Sequence, residues 1–240
     1  MFRHVGSKLV LKCTKCNALY EFEIERKLCE RCGCGLTVET ETPAAFMENI
    51  GGQGIWRYAQ LFPYVSREFH YSLGEGGTCL IESTRLRREL GVKGLWFKNE
   101  TTEPTGSYFD RSSALFVSFI KSLGYERIVT YSTGNLAASL AAYSSRIGIK
   151  LHVNVRPMVD VGKLYQMILY GAKVNVIQDF SKTRISMGEA LAIEYDPIIN
   201  EAKKTILLEV FLQLGGRLPE YIILPMGEGG LAYFTYKMLI

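Results

Sequence analysis

Four cysteines carry the clearest chemistry in this chain. Cys13-Thr14-Lys15-Cys16 and Cys29-Glu30-Arg31-Cys32 form two CxxC pairs, with twelve residues between Cys16 and Cys29. A CxxC turn lets two thiolates reach one ion, and two such turns complete the closed tetrahedral set of a structural zinc. Five of the six cysteines fall between Cys13 and Cys34, whereas a disulfide scaffold would spread them. Cys13, Cys16, Cys29 and Cys32 are therefore expected to bind zinc, with Cys34 a spare outside the CxxC register. A closed thiolate set leaves no open position for catalysis. So small a module lacks a core of its own, so the metal should fold it.

A second kind of chemistry sits in two glycine loops. Ser132-Thr133-Gly134-Asn135 opens an alanine-rich stretch, and Gly227-Glu228-Gly229-Gly230 precedes an apolar one. Loops of this kind between strand and helix present backbone N–H groups to anions at the helix start. The same glycines also serve turns and tight helix–sheet packing through backbone angles other residues avoid. A residual site for a small anion or amino acid and a purely structural role both remain open for them.

The elements that must position these residues alternate strand and helix. Tyr20-Glu21-Phe22-Glu23-Ile24 has the strand period between the cysteine knuckles, so residues 1–40 read as a zinc ribbon. Residues 41–54 read as a linker ending in Gly51-Gly52-Gln53-Gly54. Beyond it, strands are expected over 94–97, 127–131, 150–155, 173–177 and 221–224. Helices are expected over 112–123, 135–147, 162–170 and 203–214. This alternation implies a mainly parallel, doubly wound α/β sheet over residues 55–240, with a small subdomain over about 110–172.

Composition excludes several classes. No apolar run approaches the roughly 18 residues of a membrane helix, and Met1-Phe2-Arg3-His4 leads into the cysteine motif without a signal pattern. A soluble, cytoplasmic protein is expected. The formal net charge is only +4. The cluster Arg85, Arg87, Arg88 and Lys93 reads as a solvated helix face, and lysines and glutamates balance across the ribbon. Nucleic acid is thus a weakly supported partner.

Five ordered segments resemble threonine synthase, a pyridoxal-phosphate (PLP) enzyme of the tryptophan-synthase-β-like fold (fold type II). They are Leu73-Gly74-Glu75-Gly76-Gly77-Thr78; Lys98-Asn99-Glu100 with Pro104-Thr105-Gly106-Ser107-Tyr108-Phe109-Asp110-Arg111; Ser132 to Asn135 with the alanine-rich run to Tyr143; Gly162-Lys163-Leu164 with Tyr170 to Val174; and Lys204-Thr205-Ile206, closing on Pro225 to Gly230. Many threonine synthases also carry a similar zinc ribbon. The resemblance implies PLP held as an imine on a lysine, with O-phosphohomoserine as substrate. It also implies that Thr133-Gly134-Asn135 receives the substrate carboxylate and Gly227 to Gly230 the cofactor phosphate.

The chain departs from that pattern where it matters most. Phe109 stands at the lysine position, and a phenyl ring has no nitrogen with which to form an imine or move a proton. Lys98 and Lys121 are the nearest lysines in sequence. Glu228 replaces the family's asparagine and would repel a phosphate. The stretch Asp196 to Ala202 also keeps little of the family's pattern. The resemblance further implies strands and helices beyond Ile240 that complete the large subdomain. Without them, Tyr233, Phe234, Tyr236, Met238, Leu239 and Ile240 are expected to form a contact surface. The leading expectation is a pseudoenzyme with structural zinc and without PLP. It would serve as a homo-oligomer or as a subunit beside a full-length threonine synthase paralogue or in a larger particle. The alternative is an active PLP-dependent threonine synthase or related lyase.

Overall fold

Three short antiparallel strands carry the cysteine knuckles: β1 (Val10–Cys13), β2 (Leu19–Glu21) and β3 (Leu36–Glu39), in the order β2-β1-β3. Leu11 pairs with Tyr20 on one side and Val38 on the other, and Leu11, Leu36 and Val38 are buried. The computed structural model describes residues 9–39, 52–132, 134–178 and 185–239. Residues 41–51 of the expected linker, together with Thr133 and Ile240, lie outside the described residues.

The body is organised around a parallel sheet of β6 (Arg127–Thr130), β7 (Lys150–Val155), β8 (Lys173–Val176) and β9 (Glu189–Ala192), in the order β8-β7-β6-β9. Parallel neighbours need a crossover, and helices supply it. One helix (Asn135–Ile147, α3 below) links β6 to β7, and another (Val161–Leu169, α4) links β7 to β8. The sheet thus extends past the expected subdomain limit at residue 172 to include β8 and β9, because β9 pairs with β6 along its whole length.

In chain order the α-helices are α1 (Thr84–Leu90), α2 (Phe109–Ser122), α3, α4, α5 (Pro197–Glu201), α6 (Lys204–Gln213) and α7 (Gly230–Lys237). α2 is buried on all sides from Phe109 to Ile120, the pattern of a central helix. Its partner α3 presents Ala137, Ala138, Ala141 and Ala142, whose small side chains let the helices approach closely. Full burial of Phe116 and Phe119 contributes about 1.5–3 kcal/mol each. α3 ends on Gly148 in the left-handed region at φ 71°, where a side chain would be strained.

A two-stranded antiparallel ribbon of β4 (Leu80–Glu82) and β5 (Trp96–Lys98) stands apart from this sheet. The strand expected over Tyr221–Leu224 does not form, and the segment runs as irregular backbone. An apolar run becomes a strand only against a ladder partner, and none pairs with it among the described residues.

The three-stranded cysteine ribbon is bolted to the body through buried charges. The Lys27 ammonium pairs with the carboxylate of Asp196, whose Oδ1 also accepts from the Ile198 and Ile199 N–H groups at the start of α5. Glu201 Oε1 accepts from Thr37 Oγ1 at 2.8 Å, from the Val38 N–H at 3.1 Å and from Lys237 Nζ at 2.6 Å. Lys204 meets the other oxygen of Glu201 at 2.5 Å. Burial would favour a protonated Glu201, but Lys204 and Lys237 override it and hold the carboxyl below its ordinary value.

Candidate functional site

The metal centre assembles as its spacing requires. The sulfurs of Cys13, Cys16, Cys29 and Cys32 all lie within 4.8 Å of one another. Cys13 and Cys32 are 3.5 Å apart, Cys16 and Cys29 3.6 Å, and Cys16 and Cys32 3.7 Å. A tetrahedron of Zn–S bonds near 2.3 Å has edges of about 3.8 Å, so these residues fit a single zinc. Cys34 stands aside, its thiol 3.7 Å from the Cys32 carbonyl. Cys13 and Cys29 are buried and Cys16 and Cys32 exposed. The Lys15 and Cys16 N–H groups each donate to Cys13 Sγ at 3.4 Å. The Tyr20 hydroxyl sits 3.2 Å from Cys29 Sγ and draws that thiol down to about 6. Hydrogen bonds of this kind orient ligands and favour thiolates. When bound, the metal would tie together the two knuckles and, through them, β1 and β3.

The glycine motif at residues 74–77 turns out to be a structural hub. Glu75 is fully buried and accepts from the Ile55 N–H, Ser72 Oγ, the Leu73 N–H and the Tyr143 hydroxyl. Gly76 and Gly77 hold φ of 83° and 63° and donate their N–H groups to Glu103 and Glu209. Arg111 lies fully buried among three carboxylates, at 2.7 Å from Glu209, 2.8 Å from Glu100 and 3.0 Å from Glu103. Lys98 Nζ joins them, bonded to Glu209 at 2.7 Å and to the Thr78 carbonyl at 2.7 Å. Two cations face three acids, so the cluster carries more acids than bases. Burial and Glu100 push Glu103 up to about 8 against the pull of Arg111, while Arg111 and Lys98 overcome burial and hold Glu209 near 2. Lys98 is therefore held within this network.

Four separate elements meet near Phe109. Phe109 opens α2, 7% exposed, with the Tyr108 ring stacked on it at 4.6 Å between centroids. Ser132 and Gly134 lie at the start of α3, where the Gly134 N–H donates to Ser132 Oγ at 3.4 Å, and Asn135 is exposed. Gly229, in the left-handed region at φ 85°, caps α7, whose first residue is Gly230. The fourth element is the junction of α5 and α6, where sequence reasoning missed Lys203. Its side chain is fully buried, with Nζ 5.2 Å from the Phe109 ring centroid, 5.5 Å from that of Tyr108 and 3.4 Å from Glu228 Oε1. Burial lowers the Lys203 pKa, with Glu228 and Glu194 opposing. The available signal was a Lys203-Lys204 doublet opening an apolar helix, with no solvent face for both charges. Gly227 adds no side chain here. Gly230 permits close approach, since a Cβ there would meet Asn200 Oδ1 at 2.9 Å and Lys203 Nζ at 3.1 Å.

These residues do not fit PLP. The position facing the cleft from α2 offers a phenyl ring and no amine. The buried amine above it is already engaged by a carboxylate, and that carboxylate lies at the opening of α7, where a phosphate would need backbone donors undisturbed by negative charge.

A parallel α/β sheet with helix starts converging on one cleft defines an α/β protein of the fold type II architecture. The family described as "Pyridoxal-phosphate dependent enzyme" matches residues 71–239, and the chain belongs to it as a threonine synthase-like member. The threonine synthase of Methanocaldococcus jannaschii is 34% identical over 92% of this chain and 58% of its own length. That of Methanosarcina acetivorans is 32% identical over 95% and 59%. The chain thus spans less than two thirds of these curated relatives. An L-serine ammonia-lyase from the fungus Rhizomucor miehei superposes with TM-score 0.63 at 19% identity, over 68% of this chain and 55% of that one. At that identity the likeness concerns the fold alone.

Proposed function

We propose that this chain is a threonine synthase-like pseudoenzyme: a zinc-stabilised α/β scaffold that performs no PLP chemistry and works by association. One observation carries the reading. Phe109 begins α2 where the imine-forming amine is needed, and Lys203, the amine that overhangs it, is held by Glu228. A nucleophilic lysine must present a free amine to an aldehyde, and Lys203 Nζ lies 3.4 Å from the Glu228 carboxylate, its partner in an ion pair. The purified protein, incubated with PLP, is expected to show no visible aldimine band and no mass increase after borohydride reduction. The same geometry supplies the rival reading, a PLP-dependent lyase acting on O-phosphohomoserine through a relocated lysine. An adduct mapped to Lys203 would establish the rival and overturn the proposal.

Association is supported by apolar surface around the irregular segment before α7. Tyr221, Ile223 and Met226 are 85%, 92% and 75% exposed, and Tyr236 and Leu239 lie about half exposed nearby in sequence. Of the C-terminal residues read as a contact surface, Phe234 is instead buried and belongs to the chain's own core. Exposed apolar runs of this length mark binding surfaces. The partner we propose is another protein chain of this family, either a second copy or a full-length threonine synthase. Light scattering is expected to give a mass above the 27.0 kDa of one chain when that partner is present, and Ile223→Asp with Met226→Asp should abolish the gain. A monomer unaffected by any such chain would defeat this part. No helix among the described residues is long and apolar enough to cross a membrane.

A further inference from the structure

Two helix starts meet in the cleft, and one already has an acid of its own. At α3, the Gly134 N–H donates to Ser132 Oγ at 3.4 Å. At α7, Glu228 folds back so that Oε1 would lie 3.0 Å from a Cβ on Gly230, over the first residue of the helix. Burial, and after it the charge of Glu228, raises the Glu194 carboxyl above its ordinary value. Lys203, fully buried, lies 3.4 Å from Glu228 Oε1. Asn200 Oδ1 is buried without a hydrogen-bond partner, and it points to the same spot above Gly230 as Lys203 Nζ. N–H groups at helix starts attract negative charge, and here the chain supplies that charge itself.

We propose that Lys203 and Glu228 form an internal ammonium–carboxylate plug that occupies the anion position at the start of α7 and excludes phosphate-bearing ligands. The inference rests on the pseudoenzyme reading and gives its physical cause beyond the loss of one amine. The Glu228 carboxylate stands over the first residue of α7, so an incoming oxyanion meets repulsion where the helix start would otherwise receive it. Removing the Glu228 charge lifts that repulsion. Lys203 is then released toward the cleft, and Asn200 Oδ1 is in place to accept one of its N–H groups while the others face the ligand. The unpartnered oxygen is accounted for in this way, as an acceptor waiting on a cation that Glu228 holds aside.

The plug predicts a gain of binding. Calorimetric titration with inorganic phosphate should show no saturable binding to the wild-type protein. Glu228→Gln should bind phosphate at least about tenfold more tightly than wild type, the equivalent of removing one partly screened like charge. Adding Lys203→Met to Glu228→Gln should abolish the gain, because the buried cation beside residue 228 is lost. The side chain of Glu228 is 35% exposed, so the substitution leaves the fold intact, and circular dichroism with a melting curve checks this. Glu228→Asn provides a second variant. Saturable phosphate binding by the wild-type protein, or no gain in either folded Glu228 variant, would overturn the plug. Phosphate carries no aldehyde, so this outcome is independent of imine formation: an aldimine sinks the pseudoenzyme reading, whereas an unresponsive Glu228 variant sinks only the plug.

Discussion

Arg111→Met is expected to destabilise the protein by about 3–5 kcal/mol, the range seen when one partner of a buried ion pair is removed. Arg111 is wholly buried and donates to Glu209 at 2.7 and 2.8 Å, to Glu100 at 2.8 and 2.9 Å and to Thr205 at 3.1 Å. Its loss leaves Glu209 and Glu100 with only Lys98 between them. Glu209 cannot relax into water, because its other oxygen contacts anchor the Gly77 N–H and Lys98. Arg111→Lys should recover only part of the loss, since an ammonium does not reproduce the fork that meets Glu100 and Glu209 together. Urea denaturation gives the measurement. A midpoint shift worth less than about 1 kcal/mol for Arg111→Met, the scale of a surface pair, would show that the cluster contributes little.

The second large effect concerns the metal. Protein purified without chelator is expected to contain one zinc per chain, and its removal should unfold residues 10–39 and lower the melting temperature of the whole protein. Zinc binding to small thiolate modules is worth about 10–16 kcal/mol, and in such modules that energy is the folding energy. The consequence spreads here because the ribbon also satisfies the body. Without it Asp196 loses Lys27, and Glu201 loses Thr37 and the Val38 N–H while two lysines stay crowded on it. If only about 3 kcal/mol of this reaches the body, a domain of this size melts roughly 10 °C lower. Cys13→Ser or Cys29→Ser should reproduce the apo behaviour, whereas Cys34→Ser should not. Metal analysis finding none, together with a melting curve indifferent to chelator, would contradict the assignment.

Both effects arise from acids held in place by partners far away in sequence. That is also why the two sites were unequally legible. The cysteine knuckles are local: each CxxC is a single turn, and the strands between them are short. Their chemistry could be read from spacing alone, and the structure brings the same four sulfurs together. The expected helix over 135–147 and the strand over 150–155 match α3 and β7, since Gly134 and Gly148 mark the helix ends in the sequence itself. The strand over 221–224 failed for the opposite reason, because its formation depends on a neighbour rather than on its own residues.

Sequence by itself therefore determined the four-cysteine cluster, the α/β alternation, the family resemblance and the absence of an amine at position 109. These are properties of residue identity and of spacing within one or two turns. Only the tertiary structure decided what replaced that amine. Lys203 reaches the Phe109 ring and Glu228 reaches Lys203 because the α5–α6 junction and the start of α7 are folded against the start of α2. In the same way, Arg111 finds Glu209 across 98 residues of chain, and Glu75 proves to be a core anchor rather than a ligand group. Charge pairing at such separations leaves no local pattern in a sequence. Burial raises the cost of every unpaired charge, so once the chain is compact that cost selects which distant acid meets which base.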